Sequence, residues 1–153
     1  MLKNYKKRVL ILLVVVVFAG FLLWLSCRTM KIIAVHQDDT YSEVLVKDYP
    51  LTSKGKIRWW LKNKKMLKEK YNIPRPGDDG RYHVIFWDFD EGYKELDKYD
   101  RLCFDDMPPP KNCIDKNKLM IISHSKDNVT QFTVGNEYYI LQDDGVSVRI
   151  RSN

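Results

Sequence analysis

Two cysteines carry the clearest chemical signal in this sequence. Cys103 and Cys113 bracket a short loop, residues 104–112, that contains three consecutive prolines. A redox or zinc site is disfavoured, because the pair has no Cys-x-x-Cys spacing and no second cysteine pair exists to complete a zinc shell. We therefore predict a structural disulfide, which on the chain-entropy model contributes roughly 2.5 to 3 kcal/mol of stability. Such a bond requires an oxidising compartment.

Carboxylates and histidines offer weaker candidates for a metal site. The run from Asp88 to Gly92 includes Asp90 and superficially suggests a calcium loop, but its glycine is fifth rather than sixth and the closing glutamate is absent. A solvated acidic rim, joined by Asp105, Asp106 and Asp115, is the favoured interpretation. The three histidines, at positions 36, 83 and 124, are scattered along the chain. We predict no metal and no cofactor.

Motifs for catalysis are equally weak. The serines lack a Gly-x-Ser-x-Gly elbow, and no glycine-rich phosphate cradle follows a predicted strand. No catalytic residue is predicted. An envelope hydrolase that uses Asp88, Asp90 or His83 ranks last among the possible functions.

An apolar segment near the N-terminus predicts a membrane anchor. Every residue from 9 to 25 is apolar or small, and fourteen of them are Leu, Ile, Val or Phe. These fourteen favour insertion by about 4 to 8 kcal/mol. A cleaved signal is disfavoured, since a cut after Ser26 would place the bulky Trp24 at the −3 position. The residues before Cys27 fit a lipoprotein signal equally poorly. Cys27 is otherwise an unpaired thiol or a link between two chains.

Charge around this segment predicts its orientation. The basic residues Lys3, Lys6, Lys7 and Arg8 precede the span without any acidic neighbour, and positive charge stays in the cytoplasm. We therefore predict a cytoplasmic tip at residues 1–8, a transmembrane helix at 9–26 in the bacterial inner membrane and a periplasmic domain at 27–153. The tip holds four of the 26 basic residues, which leaves 22 against 20 acidic ones. Such a balanced domain argues against nucleic-acid binding.

The periplasmic segment is predicted to fold as one α+β domain, with an antiparallel sheet and one main amphipathic helix. Short β-branched runs predict a hairpin from residues 31–36 and 43–49. A helix is predicted at 56–71, preceded by the capping-type sequence Thr52-Ser53-Lys54-Gly55. Residues 81–89 are apolar on both faces and predict a buried central strand. Further strands are predicted at 118–124, 131–134, 138–142 and 146–151.

Two surfaces are candidates for binding a partner. One is the helix at 56–71, whose outer face is rich in lysine and could dock on an acidic protein or on anionic lipid headgroups, although a solvated face is the favoured interpretation. The other is the acidic region beside the cysteines. The candidate partner residues are Trp59, Lys62, Lys65, Asp88, Asp90, Asp105 and Asp106.

Several of these segments also occur together in a known family. The chain resembles the enterobacterial membrane proteins grouped as domain of unknown function 943, with a similarity that extends from the anchor to about Met120. The segments that carry the resemblance are residues 33–38, 55–61, 86–89, 92–97, 101–106 and 112–115. The resemblance implies a bacterial envelope location, and it implies no activity and no catalytic residue.

Three functions remain as hypotheses. The first is a periplasmic binding or inhibitor module, tethered beside its partner protein, of which an immunity protein against an envelope-acting toxin is one version. The second is a structural component of an envelope complex, in which the anchor packs against other helices near Ala19-Gly20. The third is the envelope hydrolase.

Overall fold

The N-terminal segment is one long helix. The computed structural model describes residues 2–26, 28–89, 91–145 and 147–150. Helix α1 spans Leu2–Ser26, and its part from Tyr5 to Leu25 is long and apolar enough to cross a membrane. None of the apolar residues in that part is buried against the domain. These properties agree with a membrane anchor, and the basic tip continues the same helix.

A seven-stranded sheet forms the centre of the domain. Its first two strands, β1 (Lys31–Asp38) and β2 (Tyr41–Lys47), pair as the predicted antiparallel hairpin. The sheet order is β1-β2-β3-β6-β7-β8-β9. The later strands are β3 (Tyr82–Asp88), β6 (Lys118–His124), β7 (Thr130–Val134), β8 (Glu137–Leu141) and β9 (Ser147–Ile150). The α+β class is confirmed.

One strand pair departs from the predicted antiparallel sheet. Strands β2 and β3 run parallel, with Val44 opposite Phe86, so the sheet is mixed. The long connection between them contains α2 (Ser53–Tyr71). A parallel pair needs such a crossover, and a helix that packs on the sheet supplies it. The helix was predicted, but its role as the crossover between neighbouring strands was not.

Local signals fix both ends of α2. The side chain of Thr52 accepts a hydrogen bond from the backbone N–H of Gly55 at 3.0 Å, which caps the N-terminus. At the C-terminus Asn72 adopts a left-handed conformation with φ 54°, and the N–H of Ile73 donates to Leu67 at 3.2 Å. The predicted helix is therefore confirmed, with one further turn at its start.

The main core lies between α2 and one face of the sheet. Buried residues Ile57, Trp60 and Leu67 of the helix pack on alternate residues of the strands. On the sheet side this core includes Val44, Val46, Val84, Phe86, Met120, Ile122 and Phe132. Because side chains alternate across a strand, the residues between these positions face the other way.

A second, smaller core covers the opposite face. Leu45 and Trp87 of the sheet pack there against Phe104 and Ile114. Both of the latter belong to the segment between β3 and β6, where β4 (Arg101–Cys103) pairs with β5 (Cys113–Asp115). The sequence did not predict this two-stranded hairpin. The domain thus has three layers, with α2 on one side of the sheet and the cysteine hairpin on the other.

Candidate functional site

A cavity of about 390 Å³ lies between the first hairpin and the cysteine hairpin. It is on the sheet face that α2 does not cover, so the second core forms its base. Residues of β1, β2 and the loop after β4 line it. They are His36, Gln37, Asp38, Tyr41, Glu43 and the run from Leu102 to Asp106.

The two predicted disulfide cysteines hold in place the loop after β4, which covers this cavity. Cys103 and Cys113 are directly opposite each other in the β4–β5 pair, and their sulfur atoms lie 2.12 Å apart, as the predicted bond requires. Beside the bond, the N–H of Phe104 donates to the carbonyl of Asn112 at 2.9 Å. The covalent bond and the backbone bonds together fix the position of the loop that carries Asp105 and Asp106.

His36 connects this loop to the sheet. The residue is 7% exposed, and its ring stacks on Phe104 with 3.8 Å between ring centroids. Nδ1 lies 2.7 Å from a carboxylate oxygen of Asp106, and Nε2 lies 2.8 Å from the hydroxyl of Tyr93. A carboxylate only accepts, so Nδ1 donates its hydrogen to Asp106, while Nε2 is hydrogen-bonded to the Tyr93 hydroxyl. With both nitrogens occupied, His36 positions the loop and has no free nitrogen to act as a base.

Glu43 contributes a partly buried carboxylate to the same cavity. It lies directly opposite His36 in the β1–β2 hairpin, and its carboxylate accepts a hydrogen bond from the indole N–H of Trp87. Burial raises the pKa of Glu43, although the Trp87 bond and the charge of Lys118 oppose that rise. Lys118 also lies 5.3 Å above the Trp87 ring.

The electrostatic character of the cavity is acidic. Burial, together with the negative charge of Asp106, raises the pKa of Tyr93. Asp38 and Asp105 add two exposed carboxylates at the rim, and Tyr41 and Phe104 supply aromatic walls. This combination suits a cationic group with an apolar stem, such as a lysine or arginine side chain of another protein.

The structure separates the predicted partner residues into different surfaces. Trp59, Lys62 and Lys65 are on α2, whereas Asp105 and Asp106 lie across the sheet in the cavity lining. The basic helix and the acidic region, predicted as two surfaces, therefore lie on opposite sides of the sheet. Asp90, which belonged to that prediction, lies outside the described residues.

Asp88 lies on a third surface of the domain. Its carboxylate accepts from the side-chain amide of Asn117 at 3.1 Å, in a small depression that also includes Asp115. Hydrogen bonds from Lys94 and Arg101 lower the pKa of Asp115, so the carboxylate of Asp115 is already paired with the protein's own cations.

The other histidines are not brought to the cavity. His83 stacks on Tyr41, and His124 stacks on Tyr82 with centroids 4.9 Å apart. Within the part of the chain that the structure describes, no three His, Cys, Asp or Glu side chains are grouped as metal ligands. Cys27 lies outside the described residues.

Sequence reasoning missed His36, Glu43 and Tyr93 as a group. His36 and Glu43 could have been paired, because they are seven positions apart across a predicted hairpin turn. Tyr93 and Asp106 lie 57 and 70 positions from His36, and no local pattern brings them together.

Replacing Asp106 should destabilise the loop after β4, which covers the cavity. The Asp106→Ala variant leaves Nδ1 of the buried His36 without its acceptor, which should lower the free energy of unfolding by about 1 to 3 kcal/mol. We expect faster amide hydrogen exchange at Phe104 and its neighbours in the full-length protein in detergent. Asp105→Ala, which removes an adjacent carboxylate that lacks a hydrogen-bond partner among the described residues, is the matched control and should change stability by less than about 0.5 kcal/mol. Equal effects of the two variants would contradict the role given to His36.

Glu43 should make the folded protein less stable as the pH rises. Because its pKa is raised on folding, the native state binds its proton more tightly than the unfolded chain does. The free-energy cost of ionising Glu43 in the folded protein is therefore absent below the pKa of 4.5 in the unfolded chain, and it grows as the pH rises through the folded pKa. We expect the melting temperature of the wild type, relative to Glu43→Gln, to fall over this range. A difference that stays constant with pH, or rises, would show that burial does not control this carboxyl group.

Comparison with known proteins assigns the chain to a family. The family model described as Enterobacterial putative membrane protein (DUF943) matches residues 3–151, so the similarity continues beyond Met120 through the last strands. No curated protein and no solved structure matches the chain. The match covers the anchor, the mixed sheet and the cavity. This chain therefore belongs to the enterobacterial putative membrane protein family DUF943.

Proposed function

We propose that this protein is anchored once in the inner membrane and binds a partner protein in the periplasm through the cavity beneath the cysteine hairpin. The membrane location follows from the family and from the apolar helix α1. The compartment is inferred from the basic residues before the span and from the cysteines at bonding distance, because disulfides persist in the periplasm and are rare in the cytoplasm.

The acidic cavity is the observation that carries the binding proposal. Two of its carboxylates, those of Asp38 and Asp105, form no salt bridge within the described residues. A basic side chain from another protein would supply the missing charge while its stem packs on Tyr41 and Phe104. Complementary charge of this kind speeds association and selects among partners.

The first strand offers a backbone surface next to the cavity. β1 is at the edge of the sheet, and none of the described strands pairs with its outer side. An extended segment of a partner can add to such an edge through main-chain hydrogen bonds, while a neighbouring cavity receives one of its side chains. His36 and Asp38 line the cavity from this same strand. An inhibitor of an envelope-acting toxin would be one protein with this binding mode.

The orientation is tested by reporters fused after Asn153. An enzyme that is active only in the periplasm should be active in this fusion, and one that works only in the cytoplasm should be inactive. In parallel, Cys103 and Cys113 should resist alkylation until a reductant is added, because they are joined. The reverse reporter pattern, with both thiols freely labelled, would refute the periplasmic location.

The binding site is tested by crosslinking in living cells. A photoreactive amino acid in place of Tyr41, at the cavity rim, should yield a defined adduct with a partner protein, whereas the same substitution at Asn136, in the distant β7–β8 turn, should not. Replacing both Asp38 and Asp105 with Asn should reduce the adduct about tenfold, since two charge-assisted contacts are weakened.

The matched control replaces Asp127 and Asp143, two exposed carboxylates in other turns, with Asn. This control has the same change in net charge and should keep the adduct. The proposal would be refuted if the two double variants lost the adduct equally, or if the rim and the β7–β8 turn crosslinked the same proteins. An unrelated membrane span in place of residues 9–25 should leave the adduct intact, because the proposed site lies wholly in the domain.

A further inference from the structure

Basic charge in this domain is concentrated on one helix. Residues 27–153 contain 22 basic and 20 acidic residues, and α2 holds eight of the basic ones with a single acidic residue, Glu69. The remainder of the domain therefore has 14 basic and 19 acidic residues. A nearly neutral total thus conceals a cationic helix on one side of the sheet and an acidic cavity on the other.

The outward face of α2 carries a row of exposed basic side chains. Lys54, Arg58 and Lys62 are spaced four residues apart, which places them in one row along the helix, and all three are exposed. In the part of the chain that the structure describes, none of the three forms a salt bridge. Lys65 continues the row but lies 3.8 Å from Glu69. Lys56, by contrast, is turned inward and donates to the carbonyl of Leu119 at 3.2 Å.

The start of α2 is next to the end of the membrane helix. A groove of about 410 Å³ is lined both by Leu25, in the last turn of α1, and by Trp59 of α2. Arg28 stacks 4.3 Å above the ring of Trp24 and pairs with Asp48 at 3.3 Å, which connects the anchor to the segment before α2. Because α1 ends at the bilayer surface, this groove lies at the level of the lipid headgroups.

Apolar side chains flank the basic row at the same place. Leu51 is 77% exposed and lines the groove together with the half-buried Trp59. An exposed leucine and a half-buried tryptophan beside lysine and arginine are typical of a surface that rests in the interface of a membrane, where the apolar groups enter the acyl boundary and the cations meet phosphates.

From this juxtaposition we infer that α2 docks on the bilayer that holds α1, with Lys54, Arg58 and Lys62 against anionic phospholipid headgroups and with Leu51 and Trp59 at the acyl boundary. Each basic residue near an anionic surface strengthens association about fivefold. The tether adds to this effect, since α1 keeps the helix within reach of the headgroups at all times. An acidic protein would have to compete with these headgroups for the basic side chains of α2.

This docking would orient the domain. The cysteine hairpin is on the sheet face opposite α2, so the cavity would point away from the bilayer. The inference concerns lipid contact alone and holds whether or not the cavity binds a protein.

Quenching of tryptophan fluorescence can test the contact in the full-length protein. The protein is placed in nanodiscs that contain phosphatidylcholine with a nitroxide on its headgroup, with or without about 30% phosphatidylglycerol. The contribution of Trp59 is obtained by subtracting the signal of the Trp59→Phe variant. We expect Trp59 to be quenched about twofold more in the discs with phosphatidylglycerol, and the excess to disappear in about 0.5 M salt, which screens the charges.

Two triple variants of equal charge decide whether the α2 row is responsible. K54E/R58E/K62E should lose the excess quenching, while K98E/K111E/K126E, which reverses three exposed lysines elsewhere, should retain it. Trp59 quenching that is the same in both kinds of disc would overturn the inference, as would equal loss in the two triple variants. If an added acidic protein protects Trp59 from quenching and phosphatidylglycerol has no effect, the inference is overturned in favour of a protein partner.

Discussion

Burial of the central strand on both faces is the constraint on which the domain depends. In β3, Phe86 packs with Trp60 beneath α2, while its neighbour Trp87 packs with Phe104 and Ile114 on the other side. A strand with apolar residues on both faces is stable only when both are covered. The crossover helix covers one face and the cysteine hairpin the other, so each connection to β3 is also a layer of the fold.

This arrangement gives the two layers different surfaces. The helix layer encloses the larger core and turns its cations outward beside the anchor, which suits contact with lipid. The hairpin layer encloses only a small core, and the disulfide and His36 compensate by tying its loop to the sheet. Between this loop and the first hairpin a cavity remains, and its unpaired carboxylates make it the place where a cationic partner would bind. The two proposals therefore assign opposite faces of the domain to the membrane and to a protein.

Much of the fold could be predicted because its signals are local. The apolar run in α1, the cap at Thr52, the helical spacing of Ile57 and Trp60 and the alternation in β3 each occur within a few residues. The parallel pairing of β2 with β3 could not be predicted, since it depends on how a crossover packs and not on either strand's own sequence. Strands β4 and β5 were missed because three residues are too few to show a period.

Hydrophobicity and spacing along the chain were enough to predict the apolar N-terminal helix, the cysteine pair and the α+β elements, because the signals for these features are local. Which side chains meet depends instead on the packing of the whole domain. His36, Tyr93 and Asp106 come from three separate segments, and their contact follows from the hairpin folding back over the sheet. The same folding placed the acidic residues of the cavity and the lysines of α2 on opposite faces, which the nearly neutral total charge could not reveal. Charge and hydrogen bonding act over a few ångströms in space, so their pattern depends on packing rather than on the order of residues.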